Sequence, residues 1–337
     1  MALIETLAPQ MGAYSKQFHT DGDVAWQPYL MFFHPKNYRS SVVNTDSSGF
    51  RFSEKNNDKY SIANSSDLPS ARLIAGNSVV FGIGASSDKA TIASRMMVHD
   101  PRQQPWLNFG GRAFNSAQEL ILLTLYRHML PKIEEIVLFS GANNLLLARL
   151  PEAYIQEHGA FYNSGRFFEI IQASSGKSKN NRFSLSNFFG GPQKTIHSDN
   201  TRSLDERIRF AADLTLRHLD GWNAIAKDMG AKLTFVLQPM SGWVRDKSCK
   251  EEEALFLELE NLPRYTTVKK DVLQRHVCKQ YASMLEVGAQ IKGISFVNSS
   301  PALRVASTDD QWLFIDHTHL TDAGYDLIAR LIIESTQ

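Results

Sequence analysis

The chain is poor in the features that would assign it to a class at once. Of its 337 residues only two are cysteines, Cys249 and Cys278. They lie too far apart for a Cys-x-x-Cys site, and a chain of this length needs no disulfide staple, so two unpaired thiols in a reducing compartment are expected. Net charge is nearly absent. The 36 basic and 35 acidic residues leave +1, with no global field to favour nucleic acid or an anionic membrane. The short runs Glu251-Glu252-Glu253 and Lys269-Lys270 are expected to be solvated surface. No stretch of about 18 apolar residues occurs, so no transmembrane helix is expected. The opening MALIETLAPQMGAYSKQF has an early acid, Glu5, and no continuous apolar core, and it does not read as a signal peptide. A soluble, cytoplasmic protein is the expectation.

What is present is apolar material enough for a large core, 43% of the residues, in an order that changes along the chain. Residues 1–68 are rich in Asn, Ser, Asp and aromatics. They predict an irregular N-terminal extension packed on the main domain, with a hairpin in SSVVNTDSSGFRF turning at Asp46-Ser47-Ser48-Gly49. From 69 to 337 short apolar runs alternate with amphipathic stretches. ARLIAG (71–76), WLNF (106–109), EIVLFSG (135–141), KLTFVLQP (232–239) and ISFVN (294–298) have the character of buried strands. Helices are predicted over 116–130, 203–230, 268–290 and 322–336. Ser116 with Glu119 and Ser203 with Glu206 stand at capping-box spacing, and Gly230 closes the second of these helices. The pattern predicts an α/β protein with three layers, α/β/α, around a mainly parallel five-stranded sheet of flavodoxin-like type. Residues 151–202 break the rhythm. Phe161, Tyr162, Phe167, Phe168, Phe188 and Phe189 in that insertion suggest a lid over a pocket, against a plain surface insertion.

In such a sheet, ligands bind at the carboxyl ends of the strands. The first strand ends in Gly76-Asn77-Ser78, the second runs into NFGGRAFNS, and the third ends in Gly141-Ala142-Asn143-Asn144. After the last strand comes DHTHLTDAGYDLIAR, with Asp316, His317 and His319. This set is what acyl transfer needs. A serine hydroxyl becomes a useful nucleophile when an imidazole takes its proton. The imidazole needs an acceptor that fixes its tautomer, and the oxyanion needs preorganised donors such as backbone N–H groups and an asparagine amide. Asp316 and His319 are three apart, so one helical turn or tight loop can place both on the same side.

These blocks resemble the SGNH (GDSL-type) hydrolase superfamily. AGNSVVFGIG is similar to its first block, NFGGRAFNS to its second, FSGANN to its third and DHTHLTDAGY to its fifth, in the right order over about 70–335. NYRSSVVNTDSSGFR resembles the segment that precedes the catalytic domain in some bacterial members. The resemblance implies Ser78 as nucleophile and backbone oxyanion donor, Ala113 as a second backbone donor unless Gly110 or Gly111 serves, Asn143 as the side-chain donor, His319 as base and Asp316 as its orienting partner. Three positions depart from the pattern: Asn77 and Asn144 stand where aspartate is usual, and Ala113 where glycine is. The implied activity is hydrolysis or transfer of an acyl group from a small-molecule ester or thioester. The alternative is a catalytically silent member that binds an acylated or sugar-like ligand.

Other chemistries find little support. GIGASS (82–87) lacks the third glycine and the strand-end acid of a dinucleotide loop, and no phosphate-cradling Gly-x-x-x-x-Gly-Lys-Ser/Thr is present. The histidines are scattered without metal-ligand spacing, so neither cofactor nor metal is expected. His317 has no assigned role, and nothing in the sequence sets an oligomeric state.

Overall fold

The computed structural model of the chain describes residues 3–17, 25–150, 152–162, 200–260 and 270–336. Two short antiparallel hairpins come first, β1 (Ala25–Gln27) with β2 (Met31–Phe33) and β3 (Ser53–Lys55) with β4 (Asp58–Tyr60). The predicted turn at Asp46–Gly49 forms. Asp46 Oδ1 accepts the N–H groups of Ser48 and Phe50, but the flanking chain makes only an isolated bridge, Thr45 to Arg51, in place of a laddered hairpin.

The five apolar runs all become strands: β5 (Ala71–Gly76), β6 (Trp106–Gly110), β7 (Ile133–Ser140), β8 (Lys232–Leu237) and β9 (Ser295–Asn298). They pair in the order β6-β5-β7-β8-β9, every pair parallel. Side chains alternate across the sheet, and both faces are covered. Leu73, Ala75, Leu107, Phe109, Ile136, Leu138, Phe235 and Leu237 enter one core with the helices Ser116–Tyr126, Leu204–Met229 and Arg275–Ile291. Ile74, Trp106, Val137, Phe139 and Val236 enter a second core with Ile92–His99, Ser299–Ala306 and Asp322–Thr336. This is the three-layer, flavodoxin-like arrangement. The strand order reverses at β5, so the switch point where such sheets bind ligands lies beyond the ends of β5 and β7.

Local corrections have clear causes. The helix Ser116–Tyr126 is capped by Asn115 with Gln118, one residue earlier than the expected Ser116–Glu119 pair, which frees Glu119 to turn inward. Ser203 and Glu206 do form a capping box, and Gly230 ends that helix in the left-handed conformation. The helix expected over 268–290 begins at Arg275, after a turn at 270–274, and residues 261–269 lie outside the described residues. Glu252 is not solvated surface. It is fully buried, paired with Arg245 at 2.6 Å, and accepts the N–H groups of Leu313 and Phe314. Among the described residues no helix is long and apolar enough to cross a membrane.

One buried cation ties the N-terminal residues to the sheet. Arg51 is inaccessible to solvent. Its Nε meets Asp88 Oδ1 at 2.9 Å, and its Nη1 donates to Tyr14 Oη at 2.9 Å and to the carbonyls of Phe81 and Gly82 at 3.2 and 2.9 Å. Its Nη2 donates to Val42 O at 2.6 Å. Removing one partner of a buried, hydrogen-bonded ion pair strands the other charge. Arg51→Ala should therefore cost about 3–5 kcal/mol in a urea-unfolding experiment, and Arg51→Lys distinctly less. A loss under about 1 kcal/mol for Arg51→Ala would show that the cluster is dispensable.

Candidate active site

The glycine before the candidate nucleophile is set by close approach. A Cβ on Gly76 would lie 2.2 Å from the Phe139 carbonyl oxygen of β7, so only glycine brings β5 this near its neighbour at the point where the chain turns. Asn77 then caps a one-turn helix, Ser78–Phe81, by accepting the Val79 N–H, and Ser78 is its first residue. Gly82, at φ +96, ends the turn.

Ser78 Oγ lies 2.8 Å from His319 Nε2, across 241 residues of sequence. His319 Nδ1 lies 2.6 Å from Asp316 Oδ2. Asp316 and His319 occupy a tight loop between Phe314 and Leu320, which bridge one another, and not a helical turn. The loop is held by Asp316 itself, whose Oδ1 accepts the N–H groups of Thr318 and His319 at 2.7 and 2.9 Å and the Thr318 hydroxyl at 2.9 Å. With the carboxylate on Nδ1, the network assigns the proton to that nitrogen and leaves Nε2 to accept from Ser78. His317 points elsewhere, to Ser241 Oγ at 3.0 Å and against the Phe256 ring.

The expected oxyanion donors are joined by short links. Gly111 N–H donates to Gly76 O at 2.8 Å, tying the end of β6 to the end of β5. Asn143 Nδ2 donates to Phe114 O at 2.7 Å, tying the turn after β7 to the turn that holds Ala113. Ala113 has φ +57, the left-handed conformation that glycine adopts freely and that costs other residues about 1–2 kcal/mol. Among the described residues no hydrogen bond engages the N–H groups of Ser78 and Ala113, and one N–H of the Asn143 amide remains available. Asn144 is not at the site. Its amide binds Ser116 Oγ and Thr215 Oγ1, anchoring the start of the helix Ser116–Tyr126.

One neighbour of the site carries no motif. Gln238, just past β8, accepts from Asn77 Nδ2 at 2.7 Å and donates to Thr318 O at 3.4 Å, so Asn77 reaches the Asp316–His319 loop through it. Its only signal was its place at a strand end. Burial pushes the Tyr162 hydroxyl pKa up, and the charge of Asp316 acts in the same direction. Of the aromatics of the expected lid, Phe161 and Tyr162 are described, and Phe167, Phe168, Phe188 and Phe189 lie outside the described residues. Among the described residues no group of His, Cys, Asp and Glu could hold a metal ion.

No family model matches the chain, and no curated protein matches it significantly. Among solved structures it is similar to a member of the lipolytic protein G-D-S-L family from Veillonella parvula, at 11% identity and TM-score 0.42, over 79% of this chain and 97% of that one. It is also similar to the lipase/acylhydrolase from Enterococcus faecalis, at 12% identity and TM-score 0.41, over 79% and 94%. A third is a GDSL-like lipase from Bacteroides thetaiotaomicron, at 14% identity and TM-score 0.39, over 80% and 89%. At this distance none of them assigns an activity to this chain.

Beside the end of β7, Glu119 is buried with Ser140 Oγ at 2.8 and 2.6 Å from its two oxygens. Burial lifts its pKa to about 8, and the Ser140 hydroxyl offsets only part of that. The folded state thus holds this proton more tightly than the unfolded chain, where the group titrates near about 4.3. The resulting stability is complete below that value and is lost as pH rises through about 8. Glu119→Gln carries no charge to bury. It should be more stable than the parent at pH 8, by at least about 1 kcal/mol, with the difference closing towards pH 4. A difference in urea midpoint that does not vary with pH would rule out a protonated Glu119.

Proposed function

We propose that the protein is a serine-dependent acyl ester or thioester hydrolase, or an acyltransferase working through the same intermediate. The observation that carries the reading is the continuous Ser78–His319–Asp316 chain of contacts, 2.8 and 2.6 Å long, at the switch point of the sheet. His319 Nε2 takes the Ser78 proton as Oγ attacks the substrate carbonyl carbon. Asp316 keeps the imidazole in the Nδ1–H tautomer and stabilises the imidazolium. The negative charge moves to the carbonyl oxygen, where the N–H groups of Ser78 and Ala113 and the Asn143 amide receive it. His319 then returns the proton to the departing alcohol or thiol, leaving acyl-Ser78. Water or an alcohol acceptor, deprotonated by the same nitrogen, completes hydrolysis or transfer. A small-molecule acyl ester or thioester is the proposed partner.

The availability of the donor groups supports this order of events. Donors that meet charge only in the transition state raise kcat without tightening the ground state. Ser78→Ala and His319→Ala should each lower turnover of a p-nitrophenyl ester by about 10³-fold or more, with the double variant little worse than either. Asn143→Ala should lower kcat by about 10²- to 10³-fold with KM little changed. A fluorophosphonate probe should label the parent at Ser78 and leave Ser78→Ala unlabelled. Folded parent protein that is never labelled would leave a ligand-binding role in place of catalysis.

A further inference from the structure

The turn that carries Ala113 is held from a distant part of the chain. His34, which follows β2, is buried, and both of its ring nitrogens are committed. Nδ1 lies 3.0 Å from Gly49 O, and Nε2 lies 3.0 Å from the backbone nitrogen of Arg112. A carbonyl only accepts and a backbone N–H only donates, so the neutral Nδ1–H tautomer serves both. Burial lowers the His34 pKa well below its ordinary value, and the Arg112 and Arg51 guanidinium groups act in the same direction. The ring packs between Phe33 and Phe81, with centroids 4.3 and 4.0 Å away. Phe81 ends the helix that begins at Ser78, and Arg112 immediately precedes Ala113. One imidazole therefore touches both the nucleophile's helix and the turn of the candidate oxyanion donor.

We infer that His34 is a positioning residue of the acyl-transfer site, holding the Arg112–Ala113 turn so that the Ala113 N–H faces the oxyanion formed at Ser78. The inference rests on the serine mechanism proposed above. A non-glycine residue keeps a left-handed backbone only where its surroundings impose it. The His34 bond acts on the peptide nitrogen of the residue just before Ala113. A donor displaced by even about 1 Å forfeits much of its transition-state effect, while substrate affinity is unaffected.

Three substitutions separate this role from packing. His34→Phe keeps the stacked ring and lacks the acceptor. His34→Asn keeps a donor for Gly49 O and is too short to reach Arg112. His34→Gln is long enough to offer its carbonyl to the Arg112 N–H. With p-nitrophenyl acetate as substrate, the Phe and Asn variants should lose about 10- to 100-fold in kcat with KM within about 2-fold of the parent. Their fluorophosphonate labelling rates should fall in step, and His34→Gln should recover most of the loss. Where His34→Phe does not fold, His34→Asn decides. Parental kcat in folded His34→Asn or His34→Phe overturns the inference, as does His34→Gln failing as badly as His34→Asn. If the parent is not labelled, or Ser78→Ala is as active as the parent, the serine mechanism falls and the role of His34 with it. Labelling intact at Ser78 with kcat unmoved in the variants removes the role of His34 alone.

Discussion

A sheet buried on both faces disfavours polar side chains within its strands and favours them at the strand ends. Within β5, β7 and β8 successive residues enter opposite cores, and an uncompensated polar group at those positions would bear the full cost of desolvation. The parallel arrangement also gives every strand the same direction, so all carboxyl ends open on one rim. Ser78, Ala113, Asn143 and the 316–319 loop meet there although they come from segments up to 241 residues apart. The close packing that makes the sheet is also what demands glycine at position 76, so stability of the core and placement of the serine are one constraint.

The rim is supported from outside the sheet. Arg51 caps the carbonyls of Phe81 and Gly82 at the far end of the serine's helix, and Tyr14 Oη lies 2.8 and 2.6 Å from the carbonyls of Gly82 and Ala85. His34 holds the Arg112 N–H. On the other side, Glu252 fixes the backbone of Leu313 and Phe314 just before the Asp316 loop. Each of these bonds joins a buried side chain to a main-chain group that the sheet's own ladder leaves unpaired, and such groups must find partners. The elements outside the three layers thus do for the loops what the ladder does for the strands.

The strands were legible because burial on two faces writes them as continuous apolar runs. The contact between Ser78, His319 and Asp316 was legible because each stands at a strand end or in a short motif. What escaped has a common cause. His34 acts on a residue 78 positions away, Asn77 on one 161 away and Arg51 on one 37 away, and nothing local marks such partners. Glu252 was hidden in a run of three acids, since on a helix adjacent residues face different ways and only the middle one turns inward. The cap of the helix Ser116–Tyr126 was misplaced because Asn115 with Gln118 and Ser116 with Glu119 share one spacing, and the sequence does not rank them. Glu119 was available to the interior only because it was not needed as a cap.

Asn77, Asn144 and Ala113, which differ from the motif the sequence resembles, make sense as a set once their partners are known. An aspartate at position 77 would offer only acceptors, whereas Gln238 presents its carbonyl there and spends its amide on Thr318 O. Turning that amide around to meet a carboxylate would set two carbonyl oxygens against each other at Thr318, so asparagine at 77 and glutamine at 238 fit as a pair. Asn144 faces two hydroxyls, of Ser116 and Thr215. Thr215 Oγ1 donates its proton to the Ala211 carbonyl at 2.8 Å. The Thr215 hydroxyl therefore needs a donor on its other side, which an amide supplies and a carboxylate does not. Ala113 keeps the left-handed backbone that glycine would take, with the neighbouring N–H held by His34. None of the three lies in the line of contacts from Ser78 through His319 to Asp316 on which the proposed acyl transfer rests.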